Sequence, residues 1–429
     1  MNFHDSEKIL GVLEKEGYFQ VNNPKKADLI IFNTCSIRQK AEHKFYSELG
    51  RIKDYKKRKP KVKIAVGGCI AQQEGKNIFL KAPYVDFVFG PQNIHMLESF
   101  VSDRNRPGHK RTLCLATNDN PDLAKTDLPV KRIDGVKAWV TIMYGCNNFC
   151  SYCVVPYARG RERSRPSDNI VSEIKELSDN ECKEVTLLGQ NVNSYRSDTD
   201  FPGLLKKLDR IGGLERIRFV TSHPKDLSDE LISAMAELPK VCEHIHLPLQ
   251  SGSSKVLRLM NRGYTYEEYI KKFFTLREQI PGLSVTSDII AGFPGETEDD
   301  HLQTLKALKE LEFDGIFAFK FSQRPLTKAA TLEGQLPEKV KSERLFQILE
   351  IQDEITGRKN RSLEGTIHEI LVEGESETDK EKLTGRTRTN KIVNIPKMNT
   401  AKGDLLFVNI TKGRKHSLEG EAVTKDSKT

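Results

Sequence analysis

The stretch Gly145-Cys146-Asn147-Asn148-Phe149-Cys150-Ser151-Tyr152-Cys153 places three cysteines at C-x3-C-x2-C spacing in one short loop. Three thiols this close cannot all pair as disulfides, whereas together they can face one soft metal centre. A cubane iron–sulfur cluster ordinarily takes four cysteines, so a triad implies a distant fourth ligand or one iron open to something other than protein. A structural zinc wants its fourth ligand nearby, and no His or Cys follows before Cys182. That weakens the zinc reading and leaves it as an alternative.

Working outward, apolar strand-like runs recur at 139–145, 184–190, 216–222, 244–250, 284–293 and 316–322, with helical patterns between them. Six β-α units in series predict an incomplete barrel, open on one side, with reactive groups at the C-terminal strand ends. After the first strand comes the triad, and after the next two come Gly189-Gln190-Asn191-Val192-Asn193-Ser194-Tyr195 and Thr221-Ser222-His223-Pro224. The last three end in Gln250-Ser251-Gly252-Ser253, in Asp288 with Gly292-Phe293-Pro294-Gly295, and in Phe321-Ser322-Gln323-Arg324. Glycines here allow close backbone approach, and the polar ends offer hydrogen bonds to a nucleoside-like cofactor. The candidate cofactor residues are Gly189, Gln190, Asn191, Ser222, Gln250, Ser251, Gly252, Asp288 and Gly292. A lone strand histidine is usually structural, so His223, His244 and His246 receive no chemistry, and Cys182 and Cys242 are taken as packing residues.

Upstream, 5–17 reads as a capped helix, 28–35 as a buried strand delivering Cys35, 39–55 as a helix, and 63–69 as a strand ending in Cys69. A third strand is expected at 85–90. This alternation predicts an open, mostly parallel α/β sheet with ligands at the carboxyl ends of its strands, where Cys35 and Cys69 are placed alike. The basic run 51–63 reads as a solvated face at least as readily as an RNA contact, and the breaker-rich stretch 117–127 as a linker.

Downstream of about 359, short alternating runs at 365–372, 382–387, 391–395, 404–410 and 417–420 predict a small β-barrel. Residues 381–429 hold 11 Lys/Arg against 5 Asp/Glu, a net of +6 out of +8 for the chain. Such an excess suits a polyanion such as RNA. Arg386, Arg388, Lys391, Lys412, Arg414 and Lys415, with His416, are the candidates to face phosphates.

The triad and its following Val154-Val155-Pro156-Tyr157-Ala158-Arg159-Gly160-Arg161-Glu162-Arg163-Ser164-Arg165 resemble the core of the radical-SAM methylthiotransferases. Asn33-Thr34-Cys35-Ser36-Ile37-Arg38 and Gly67-Gly68-Cys69 resemble that family's amino-terminal domain, and the tail resembles the TRAM domain, an OB-like RNA-binding module. The resemblance implies three domains, 1–117, 132–357 and 358–425. It implies a 4Fe-4S cluster on Cys146, Cys150 and Cys153 whose open iron chelates S-adenosylmethionine, and an auxiliary 4Fe-4S cluster on Cys35, Cys69 and a third cysteine. That third cysteine is expected upstream of Met1, together with a first β-strand; Cys114 is a weaker substitute.

The resemblance further implies methylthiolation at carbon-2 of a prenylated adenosine (i6A to ms2i6A) beside the tRNA anticodon, with a reductant such as flavodoxin or ferredoxin. Phe149 and Tyr152 are expected to shield the cluster. Two rival branches modify a ribosomal-protein aspartate or threonylcarbamoyladenosine. The strings Asn147-Asn148-Phe149 and Gly189-Gln190-Asn191-Val192-Asn193-Ser194-Tyr195 lean to the prenyl-tRNA branch. An alternative of another class is an RNA-binding protein with a structural zinc and no catalysis.

A chain of 429 residues is long for a single core, and 37% hydrophobic with 30% charged residues describes a charge-rich globular protein. No run approaches a spanning helix and the polar start does not read as a signal peptide, so a cytoplasmic protein is expected; a monomer is expected separately. In that compartment eight cysteines read as metal-binding or reactive rather than as a disulfide frame.

Overall fold

The computed structural model describes residues 1–35, 39–102, 111–115 and 128–423; the expected linker at 117–127 lies outside the described residues. The first layer comprises α1 (Asn2–Lys15), β1 (Leu29–Thr34), α2 (Gln39–Arg58), β2 (Lys63–Gly68), α3 (Cys69–Glu74), α4 (Lys76–Lys81), β3 (Phe87–Phe89), α5 (Met96–Ser102) and β4 (Thr112–Cys114). Its sheet is parallel throughout, in the order β1-β2-β3-β4. The apolar runs of β2 and β3 are buried on both faces, as a covered parallel sheet requires. Strand β4 adds to the three expected: three residues carry too little pattern to be read, and its pairing with β3 sets Cys114 beside Phe89.

The first helix begins at Asn2, three residues earlier than the capping pattern implies. Asp5 is not a cap; its buried carboxylate accepts from Arg159 at 2.6 Å, in the next domain. One face of α1, with Ile9, Val12 and Leu13, packs on Ala65, Phe87 and Phe89 of the sheet. The other carries Lys8, which donates to the Tyr144 hydroxyl at 2.8 Å, and Glu7, which pairs with Arg132 at 3.3 Å. The first helix therefore touches both the sheet and the central domain.

The central domain runs β5 (Lys137–Thr141), β6 (Met143–Tyr144), α6 (Val155–Arg159), β7 (Arg163–Ser164), α7 (Ser167–Asp179), β8 (Glu184–Leu188), α8 (Phe201–Asp209), β9 (Arg216–Phe219), α9 (Asp229–Glu237) and β10 (His244–His246). It continues through α10 (Ser254–Leu259), α11 (Tyr266–Gln279), β11 (Ser284–Ala291), α12 (Glu298–Leu311), β12 (Gly315–Lys320) and the long α13 (Glu338–Arg361). The expected division at 358 falls inside α13. Strands β5-β8-β9 and β10-β11-β12 form two parallel halves, joined by one bridge between Ile217 and Val241. The sheet closes no further, which makes it the incomplete barrel expected. Its core is continuous, from Val140 and Leu187 through Ile217 and Ile245 to Val285 and Phe313. The expected first strand is split: β6 leaves the sheet to pair antiparallel with β7, because it must close the base of the cysteine loop.

The last five strands, β13 (Ile367–Glu375), β14 (Lys382–Thr387), β15 (Ile392–Pro396), β16 (Leu405–Gly413) and β17 (Leu418–Ala422), close into a barrel in the order β13-β14-β15-β17-β16. It sits against the N-terminal ends of the central strands. Arg216, the first residue of β9, is fully buried and donates to Arg386 O at 2.7 Å and Glu369 Oε1 at 2.8 Å. Arg218 donates to the carbonyls of Thr387 and Arg388, each at 2.7 Å.

This docking gives three of the expected phosphate-facing cations partners within the protein. Arg388 pairs with Glu243 at 2.8 Å, Lys391 with Asp314 at 3.4 Å, and Arg386 with Glu373 at 2.8 Å. These three cations are held at or beside the junction by neighbouring carboxylates. Lys412, Arg414, Lys415 and His416 are exposed, with Arg414 also paired with Glu419 at 2.9 Å and Lys415 with Asp353.

Candidate functional site at the barrel mouth

The cysteine loop hangs between β6 and β7. Gly145 takes φ +68°, and a Cβ there would lie 2.0 Å from the Arg161 carbonyl, so only glycine fits. Phe149 adopts φ 46° without that freedom, turning the chain between Cys146 and Cys150. The loop is pinned by Cys146 N–H to Gly160 O (3.2 Å), Ser151 N–H to Met260 O (2.9 Å) and Ala329 N–H to Ser151 O (2.7 Å). Phe149 sits under the Arg161 guanidinium at 4.4 Å and meets Tyr157 edge-on, and Tyr152 packs against Phe293.

Burial pushes the Cys146 thiol up to about 11 and the Cys153 thiol up to about 12. Burial thus favours the neutral thiol at Cys146 and Cys153, and a bound positive centre would favour the thiolate. Two donors already point at sulfur: Asn148 N–H toward Cys146 Sγ at 3.5 Å, and Arg262 Nη1 toward Cys150 Sγ at 3.3 Å. Among the described residues, no three His, Cys, Asp or Glu side chains form a group able to hold a single metal ion. A cubane cluster makes a different demand, because each thiolate binds its own iron. Soft donors from one buried loop, with N–H groups aimed at them, suit that kind of centre.

Around the loop, the C-terminal ends of β8 and β9 are stitched together by Val192 N–H to Thr221 O (3.1 Å), His223 N–H to Asn193 Oδ1 (2.8 Å) and Asn193 Nδ2 to His223 O (2.9 Å). Three buried polar atoms here find no partner within the protein: Asn191 Oδ1, Ser222 Oγ and His223 Nε2. Each orphaned buried group costs about 1–3 kcal/mol, a cost that a ligand with complementary groups would relieve. The Lys225 backbone N–H donates to His223 Nδ1 at 3.2 Å, which leaves the ring proton on Nε2. Burial, with Arg262 and Lys225 nearby, pushes His223 down to about 2, so the ring is neutral. Sequence reasoning set this histidine aside; its one signal was its place in a strand-end string beside Ser222.

The other expected cofactor residues divide. Gly189 lies against Met143, its carbonyl accepting from Thr221 Oγ1 at 2.8 Å, and the Gln190 amide reaches Met1. Gln250 is buried at φ 72° and bridges β11 through Asp288 O at 2.8 Å, while Asp288 pairs with His246 at 3.4 Å. Ser251, Gly252 and Gly292 lie against neighbouring helices. Gly252 N–H donates to Thr304 Oγ1 at 3.0 Å, Ser251 Oγ lies 3.3 Å from the same oxygen, and a Cβ on Gly292 would strike Lys341 at 2.5 Å.

The α/β layer sits on this same mouth. Thr34 and Gly68 are in register, so Cys35 and Cys69 emerge side by side at the ends of β1 and β2. Arg159, at the end of α6, approaches Cys69 while paired with Asp5. Burial works against its charge, but Asp5 and Cys69 together outweigh that and raise its pKa. Arg324, after β12, pairs with Glu42 at 3.8 Å. Cys114, at the end of β4, stands two strands away from Cys69, and Cys182 and Cys242 are buried in the interior.

The same three-part organisation recurs among known proteins. Residues 1–90 match the uncharacterized protein family UPF0004, residues 140–308 the radical SAM superfamily, and residues 361–423 the TRAM domain. The chain is 55% identical to a tRNA-2-methylthio-N(6)-dimethylallyladenosine synthase of Thermodesulfovibrio yellowstonii, covering 99% of this chain and 96% of that one. It is 48% identical to a synthase of the same name from Carboxydothermus hydrogenoformans, over 99% and 97%. Its fold resembles the radical S-adenosylmethionine methyltransferase TsrM from Kitasatospora setae at TM-score 0.54 and 16% identity, over 76% of this chain and 73% of that one. With relatives this similar along its whole length, this chain belongs to the radical-SAM methylthiotransferase family.

Proposed function

We propose that this chain methylthiolates carbon-2 of N6-dimethylallyladenosine beside the tRNA anticodon, converting i6A to ms2i6A. The observation that carries the reading is positional: the cysteine triad, the unpartnered polar atoms of Asn191, Ser222 and His223, and the pair Cys35 and Cys69 all gather at one barrel mouth. The family implies a 4Fe-4S cluster and S-adenosylmethionine. Cys146, Cys150 and Cys153 would hold that cluster, with its fourth iron left for the amino and carboxylate groups of S-adenosylmethionine. When bound, the pair supplies a 5′-deoxyadenosyl radical able to take hydrogen from an unactivated carbon.

The protein's own part is placement and exclusion of water. Asn191 Oδ1 accepts, His223 Nε2–H donates and Ser222 Oγ does either, a set suited to ribose hydroxyls and adenine edges. Phe149 and Tyr152 cover the loop. Cys35 and Cys69 would contribute to an auxiliary cluster as the sulfur source, and Lys412, Arg414 and Lys415 would contact the tRNA backbone. A flavodoxin or ferredoxin would supply electrons to a monomeric, cytoplasmic enzyme.

Nucleoside mass spectrometry on tRNA from a deletion strain tests this directly. Loss of ms2i6A with accumulation of i6A is expected, and persistence of ms2i6A overturns the reading.

A further inference from the structure

Arg262 is a buried guanidinium without a carboxylate. It is 5% exposed, and among the described residues no Asp or Glu pairs with it. Its donors go to Cys150 Sγ (3.3 Å), the Tyr152 hydroxyl (3.4 Å), the Tyr264 hydroxyl (3.0 Å) and the Pro248 carbonyl (3.2 Å). Other strongly buried arginines of the central domain have an acid beside them: Arg159 has Asp5, Arg218 has Glu184 and Arg344 has Glu296. A buried charge is retained only where an opposite charge compensates for lost hydration. For Arg262 the one group nearby able to become anionic by binding a metal centre is the cysteine loop.

The arrangement is rigid. Asn261, at φ 56°, donates from Nδ2 to Phe149 O at 3.0 Å, and Ser151 Oγ donates to Leu259 O at 2.8 Å. The Tyr264 hydroxyl lies 3.0 Å from the Pro248 and Leu249 carbonyls. Segment 259–264 and the cysteine loop therefore hold each other in register, with the guanidinium fork between Cys150 and the end of β10.

We propose that Arg262 is the built-in counter-cation of the iron–sulfur centre at the triad, a positioning residue that raises its reduction potential through the Cys150 sulfur. The proposal rests on the cluster reading above. A cubane core carried by three thiolates is net negative, and one-electron reduction adds a further negative charge. A fixed cation hydrogen-bonded to a ligand sulfur favours the reduced form over the oxidised one. The electron comes from a low-potential one-electron donor; no atom of Arg262 is transferred.

The test uses the full-length chain with Cys35 and Cys69 both changed to Ala, so that only the triad centre titrates. Iron and sulfide are quantified after anaerobic reconstitution, and the midpoint potential is read by EPR during dithionite titration. Failure of this parent to bind iron overturns the cluster reading itself, independently of Arg262. With iron bound, Arg262→Gln is expected to keep it and to disfavour reduction about tenfold, ~59 mV toward negative potential. Arg262→Lys, keeping the charge but not the fork, should recover part of that shift. An unchanged potential in Arg262→Gln overturns the proposal, as does loss of iron in both variants, which would make Arg262 purely structural. Weakened S-adenosylmethionine binding at unchanged potential also overturns it and moves Arg262 to cofactor binding.

Discussion

Cys146, Cys150 and Cys153 share one partly buried loop, and burial raises the thiols of Cys146 and Cys153, which favours their neutral form until a positive centre binds. Changing any one of the three to Ala should abolish the visible absorbance of the triad centre and remove about four irons per chain, read by colorimetric iron analysis. Gly145→Ala should act through shape rather than ligation. Its left-handed backbone and the Arg161 carbonyl 2.0 Å from a new Cβ would distort the loop at a cost of about 1–3 kcal/mol. Reduced iron retention, with the protein still folded by circular dichroism, is the expected result.

His223 offers a pH signature. Its folded-state pKa of about 2 lies below the unfolded value of ~6.5, so its contribution to stability is complete above ~6.5 and is lost as pH falls toward about 2. In that window the unfolded chain takes up the proton that the buried ring refuses, at up to ~1.36 kcal/mol per pH unit. Thermal midpoints of the parent should drop between pH 6.5 and 4.5, and those of His223→Gln should drop less steeply.

At the scale of elements, α1 is unusual in burying charge on the face it turns to the barrel. Asp5→Asn would leave Arg159 buried and unpaired, a loss of roughly 3–5 kcal/mol concentrated where the α/β layer meets the mouth. Faster limited proteolysis of the α/β layer, with the small barrel still intact by mass spectrometry of the fragments, would register it. The β6/β7 pair shows the same dependence on context. Two residues on each side have no propensity worth reading, yet their pairing closes the cysteine loop.

At the scale of the molecule, the small barrel caps the N-terminal ends of the central strands while the cysteine loop opens at their C-terminal ends. A strand of about six residues spans ~20 Å, so a tRNA reaching both must lie along the side of the barrel. Charge reversal of Lys412, Arg414 and Lys415 together should weaken tRNA binding and lower the salt slope by up to ~3. It should leave S-adenosylmethionine cleavage in the absence of tRNA unchanged. Arg388→Glu should instead disturb docking, because Glu243 is its partner.

What the sequence determined by itself was local or periodic. The triad lies within one short loop, the barrel strands are apolar runs with strand-end strings, and the five terminal strands alternate, so spacing alone exposed them. What only the tertiary structure decided were contacts between residues far apart in the chain: Arg262 with Cys150, Arg159 with Asp5, Arg388 with Glu243, and the orphaned Nε2 of His223. An arginine reads the same in sequence whether it meets solvent, phosphate or a buried acid. Its role is set by desolvation and by the partner that chain folding brings to it, and neither quantity exists before the fold does.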